Sequence, residues 1–166
     1  MIKIRNAELA DLDQIMVIYK RASAYMAKTG NPNQWVNGYP KRELIASDIK
    51  RQVSFVAEEN GRIEGVFSFI FGEDPTYQKI EQGAWICDGE YATIHRLASA
   101  GTMNGIAAEC FIWCADQCKN IRADTHHDNR IMQHLLEKNN FVRCGIIYLS
   151  TGAPRIAYQR VSNQSE

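Results

Sequence analysis

Apolar and polar positions along the chain switch between a two-residue and a 3.6-residue period, and the switches mark its elements. Ile2–Arg5 alternates apolar and basic residues, which predicts a short first strand. Asp11 then opens a predicted helix, with Gln14 placed to complete a capping box. Leu12, Ile15, Met16, Tyr19 and Ala22 form its apolar stripe, and Gly30 is the expected stop. Residues 30–40, GNPNQWVNGYP, are dense in turn formers and predict a loop. Lys41–Gln52 reads as a second short helix. Val53–Glu59 and Arg62–Phe71 are β-rich runs on either side of Asn60-Gly61, a strong hairpin signal.

Past a mixed loop from Gly72 to Gly89, the periods keep switching. Ala92–Ser99 predicts a strand, Gly105–Asn120 a helix, Ile121–Thr125 a strand and Asn129–Lys138 a helix. Phe141–Tyr148 and Arg155–Arg160 predict a closing antiparallel pair. The order β-α-α-β-β-β-α-β-α-β-β predicts an α/β sandwich with a partly antiparallel sheet, in one domain spanning residues 1–166.

Charge narrows the partners. The 19 basic and 19 acidic residues cancel, which argues against nucleic acid or an anionic membrane as partner. No apolar run approaches the roughly 20 residues of a membrane span. The N-terminus lacks a stretch suited to a signal peptide, so a cytoplasmic location is expected. Oligomeric state stays open, with a homodimer the commonest form of a soluble oligomer. Five cysteines, an odd number, suit free thiols in a reducing compartment. Cys110, Cys114 and Cys118 would share one helix face as small apolar fillers. No Cys-x2-Cys pair or other recognisable ligand spacing exists, and no metal is expected.

The segment 93–108, TIHRLASAGTMNGIAA, carries the candidate chemistry. A strand ends, a glycine-containing turn follows, and a helix starts near Gly105. Unpaired N–H groups and the positive end of the dipole make such a start a ready site for phosphate. Gly101, Gly105 and the small Ala107 would let the backbone approach an anion. Pattern alone also leaves open a plain strand-to-helix connection with a glycine near a helix cap. The turn is neither a Walker A loop nor a Rossmann fingerprint.

These residues resemble the GNAT superfamily of N-acetyltransferases. The similarity covers residues 2–160 in element order and is sharpest over 92–149. The family's Gln/Arg-x-x-Gly-x-Gly/Ala cradle for the CoA pyrophosphate is matched by Thr102-Met103-Asn104-Gly105-Ile106-Ala107, with Thr102 at the Gln/Arg position. The family's Asn-x-x-Ala-x-x-Leu-Tyr-x-x-x-Gly-Phe is matched at Asn129, Leu135 and Phe141, with Leu136 at the Tyr position. In many members that tyrosine protonates the leaving thiolate. The resemblance implies a GNAT fold: a single mixed, largely antiparallel sheet flanked by helices, with parallel strands 4 and 5 splayed apart. It implies acetyl-CoA as co-substrate, held by Leu97, Ala98, Ser99, Thr102–Ala107 and Asn129. The implied reaction is direct transfer of the acetyl group to a primary amine of a small molecule or peptide. Because Leu136 and Thr102 depart from the pattern, a non-catalytic acyl-CoA-binding module on the same fold is the alternative.

Transfer to an amine needs a proton acceptor and a polarised thioester carbonyl. A backbone N–H near Leu97 or Ala98 is the candidate for the carbonyl. His95, two residues before Leu97, is the candidate base, or else an ordinary sheet-face residue. His126 is a candidate base or leaving-group acid, or else a turn hydrogen-bonder. Tyr19, Gln34, Trp35, Tyr39 and Trp85 are expected to line the acceptor pocket, where aromatic walls suit an amine. The tryptophans could instead cover the core edge.

Overall fold

The alternating runs assemble into one seven-stranded sheet in the computed structural model, which describes residues 1–162. The expected domain's last residues, 163–166, lie outside the described residues. The strands are β1 (Lys3–Asn6), β2 (Ser54–Glu59), β3 (Arg62–Phe71), β4 (Ala92–Ser99), β5 (Asn120–Thr125), β6 (Val142–Tyr148) and β7 (Pro154–Val161). Their spatial order is β1-β2-β3-β4-β5-β7-β6. Every neighbouring pair is antiparallel except β4 with β5. The helices are α1 (Leu12–Lys28), α2 (Arg42–Lys50), α3 (Ile106–Gln117) and α4 (Arg130–Lys138). Among the described residues, no helix is long and apolar enough to cross a membrane.

Asn60 and Gly61 both take positive φ, 52° and 77°, as a two-residue hairpin turn with the native strand twist demands. The first helix begins differently from the expectation. A 3-10 turn at Leu9–Asp11 precedes it, and Asp11 makes no side-chain cap bond. Its carboxylate accepts instead from the Glu8 N–H and from Arg5, both at 2.8 Å. A charge-assisted bond to Arg5 outcompetes the local cap with Gln14.

Two faces of the sheet carry different chemistry. Under α3 and α4 the face is apolar, with Phe67, Phe69, Ile94, Phe111, Ile121 and Leu136 in one buried cluster. Cys110 and Cys114 lie in it, and burial pushes the Cys110 thiol up to about 12. They are core fillers, too poorly ionised to react. Under α1 and α2, Ile15, Tyr19, Ile45, Ile49, Val56 and Val66 pack, with a buried charge among them. Asp48 has 0% exposure, accepts from the Ser68 hydroxyl (2.9 Å) and pairs with Arg96.

This pair fixes β4 where it matters. Opposite Phe67 the register slips, so Arg96 and Leu97 together face one residue of β3. Arg96 sits at φ 54°, a left-handed geometry unusual for a side-chain-bearing residue. Its guanidinium reaches Asp48, Ser68 and the Tyr39 hydroxyl (3.2 Å), and the Tyr19 hydroxyl donates to its carbonyl (2.8 Å). Replacing Asp48 with alanine leaves that guanidinium uncompensated. Urea denaturation of Asp48→Ala is therefore expected to show a loss of about 3–5 kcal/mol.

Candidate active site

Parallel pairing of β4 with β5 is brief. Only Ala92–Ile121 and Thr93–Arg122 are in register, and beyond them the strands separate. A cavity of about 690 Å³ fills the gap. Its walls come from Ile94 and Arg96–Ser99 of β4, Ala123 and Asp124 of β5, the turn before α3, and α4.

The turn is built for close approach. Gly101 takes φ 78° and Gly105 takes φ 82°. A Cβ on Gly101 would meet only the movable tip of Arg21, so glycine is favoured there by its left-handed conformation. The first N–H to bond back into α3 is that of Glu109, to the Gly105 carbonyl at 3.1 Å. The earlier N–H groups face the turn with the positive end of the helix dipole. Arg21, on α1, adds a full positive charge at the cavity mouth and reaches the Ser99 carbonyl (3.4 Å). No local pattern marks it, because it lies some 80 residues along the chain from Gly101.

Most of the expected cofactor residues line this cavity: Leu97, Ala98, Ser99, Met103, Asn104, Gly105, Ile106, Ala107 and Asn129. Thr102 does not; its hydroxyl is bonded to Glu64. Asn129 caps α4 by accepting from the Met132 N–H (3.0 Å) and donates to Gln34 Oε1 (2.9 Å). Gln34 and Trp35 reach the cavity. Tyr19 and Tyr39 flank the Trp35 ring at 5.7 and 6.3 Å as its support. Trp85 stands elsewhere. Its indole donates to the Tyr77 carbonyl (2.9 Å), and Arg122 is sandwiched between it and Tyr91 at 4.0 Å. Leu136 is buried in the apolar cluster and also touches the cavity.

His95 and Asp124 lie on the polar face, two residues past the last register pair on each strand. Tyr77 stands between them, donating to Asp124 Oδ2 (2.6 Å) with its ring 6.2 Å from that of His95. Burial first, and then the Asp124 charge, hold the Tyr77 phenol well above its usual range. His95 Nε2 is 2.9 Å from Asp74, which orients the ring. His126 is nearly buried. Its Nδ1 accepts from the Asp128 N–H (3.0 Å), and burial followed by the charges of Arg155 and His127 lowers its pKa. His126, His127 and Asp128 bring three ligand-type atoms within 4.8 Å of one another.

No family model matches the sequence, and no curated protein matches it. Solved structures do. A GNAT-family acetyltransferase from Streptococcus agalactiae is 34% identical over 98% of this chain and 96% of its own, with a TM-score of 0.88. The chain belongs to the GNAT family of acetyltransferases. A putative acetyltransferase from Staphylococcus aureus is 26% identical over 95% of this chain and 97% of its own, with a TM-score of 0.71. The fold is shared with a putative acetyltransferase from Salmonella typhimurium, solved with its cofactor acetyl-CoA, at 18% identity over 99% of this chain and 96% of its own and a TM-score of 0.62. The sheet order, the parallel β4–β5 pair and the flanking helices are those of a GNAT fold.

The Asp74–His95 pair is testable by pH. Burial raises the Asp74 pKa, but bonds from His95 and Thr76 outweigh it and bring it down to about 2. A depressed carboxylate contributes stability above its unfolded value, near 4, and loses it as pH falls toward 2. Asp74→Asn should thus be less stable than the parent at pH 6, and the gap should narrow in denaturant titrations as pH falls below about 4 and close only below about 2.

Proposed function

We propose that the chain is an acetyl-CoA-dependent N-acetyltransferase that acetylates a primary amine by direct transfer. One observation carries this reading: the cleft between β4 and β5 opens at one end onto the glycine turn, Arg21 and the start of α3, and reaches Asp124 on the polar face. The residues present suit the co-substrate. The N–H groups of Gly105–Ala107 and the Arg21 guanidinium would hold the pyrophosphate. The edges of Leu97, Ala98 and Ser99 would hold the pantetheine arm as an added strand. Acetyl-CoA supplies a thioester whose C–S bond breaks as a C–N bond forms to the acceptor.

The chain's own residues then have distinct tasks. The slip at Arg96–Leu97 leaves a residue of β4 without its ladder partner, which frees a backbone N–H to polarise a carbonyl in the cleft. Asp124, with one oxygen held by Tyr77, binds the acceptor ammonium through the other. His95, oriented by Asp74, takes the ammonium proton directly or through one water. Leu136 donates no proton, but a thiolate is stable enough near neutral pH to leave without an acid. His126 has its Nδ1 committed to the turn and serves to shape the start of α4.

Acetyl-CoA at about 100 times its Kd should raise Tm by roughly 5–10 °C. Failure to stabilise at millimolar concentration would overturn the proposal. Arg21→Ala should weaken CoA binding by about tenfold, the scale of one charge-assisted bond, read by calorimetry. In a thiol-release assay over a panel of amines, His95→Gln should lower kcat by about 10²–10⁴. Stabilisation by CoA with no thiol release from any amine would instead favour an acyl-CoA-binding module.

A further inference from the structure

Arg155, at the start of β7, is a buried charge on which the nearby acid, Asp124, acts only from a distance. It is 6% exposed and donates only to two backbone carbonyls, Pro154 O (2.9 Å) and Gln34 O (3.2 Å). It makes no ion pair among the described residues. Elsewhere the molecule treats its enclosed guanidinium groups differently. Arg96 has Asp48, and Arg122 lies between two aromatic rings. A buried charge is costly unless something compensates it, and a substrate can be that partner.

Arg155 opens onto a space for one. It lines a second cavity of about 320 Å³ with Gln82, His127, Ile146 and Tyr148. None of the other lining residues is an acid, so the pocket wall itself offers donors and no carboxylate. The carbonyl it bonds belongs to Gln34, whose residue also lines the cleft between β4 and β5. The sheet register fixes its relation to Asp124. Asp124 is opposite Ala157, and Arg155 lies two residues before Ala157 on the same strand. The two therefore project from one sheet face as diagonal neighbours, roughly 7–8 Å apart at Cα. They stay apart, with no ion pair between them, and Asp124 is held by Tyr77 instead.

We infer that Arg155 is a specificity residue and that the acceptor is a small amine bearing a carboxylate, such as a free amino acid. The carboxylate docks on Arg155 in the second cavity, and the ammonium meets Asp124 at the cleft. This rests on the N-acetyltransferase reading above. It gives Arg155 a fork-shaped donor for a planar anion, and gives the separated Asp124–Arg155 pair a zwitterion to bridge. Simple polyamines and amino-acid amides supply the ammonium without the anion and are poor acceptors.

The test uses the intact protein, saturated with CoA, and matched pairs of ligands: amino acids, their amides and the corresponding decarboxylated amines. Thermal shift and calorimetry read binding, and thiol release from acetyl-CoA reads turnover. The expected result is binding and turnover of carboxylated amines, with KM raised about 10–100-fold in Arg155→Gln and kcat nearly unchanged. Arg155→Lys should recover part of the affinity. Both variants must still be stabilised by CoA as the parent is; if Arg155→Gln is not, Arg155→Lys and the ligand pairs on the parent decide. Equal response to carboxylated and decarboxylated partners, or no response to either, overturns the inference. Carboxylate-selective binding without thiol release supports this site and overturns only the transferase reading.

Discussion

The sheet is stitched by antiparallel ladders on both sides of one weak seam, the two-pair contact between β4 and β5. Everything functional in the molecule follows from that seam opening. The strands are held together at Ala92 and Thr93 by the core beneath α3, and are driven apart by the slip of β4 against β3 at Arg96. A bulge bends its strand and strengthens the local twist, so β4 turns away from β5 while staying paired with β3. The strained left-handed backbone at Arg96 persists because its side chain is anchored by the buried Asp48 and its carbonyl by Tyr19. Helices α1 and α2 thus set the shape of a cleft that α1, α3 and α4 help to line.

The two sheet faces divide the work. The α3 and α4 face is apolar, closes the core and presents the start of α3 to the cleft. Charged side chains concentrate on the other face, where Asp48, Arg96, His95, Asp124 and Arg155 stand in a row of elements from α2 to β7. Each is held by a specific partner, which keeps these charges from collapsing onto one another. Tyr77 keeps Asp124 from Arg155, and Asp74 holds His95 away from Asp124. Separated opposite charges along a cavity wall form a pattern that a ligand of matching charge completes.

The loop from residue 30 to residue 40 ties both faces together. Gln34 Oε1 accepts from Asn31, Thr125 and Asn129, while its carbonyl takes a bond from Arg155. One glutamine therefore connects the end of β5, the start of α4 and the start of β7. Its role is positional, although it reaches the cleft as expected.

Local pattern was enough to place nearly every element. Arg62–Phe71 and Ala92–Ser99 are strands over the very residues that their β-rich composition marks, because both are largely buried within the sheet. Asn60-Gly61 fixes its hairpin because few residues tolerate two positive φ values in succession. The glycine turn before α3 was legible for the same reason. The bulge at Arg96 was not, since nothing in the order of apolar residues distinguishes a slipped ladder from a regular one. Nor were Arg21, Asp124, Asp74 or Arg155, and Trp85 was assigned to a pocket that it does not reach. Those positions depend on which distant segments the sheet brings side by side. Sequence periodicity records whether a residue faces a core, and so it determined the elements and where the glycine turn falls between them. Tertiary structure alone decided which charges stand across the cleft from one another, because that is set by strand order and register.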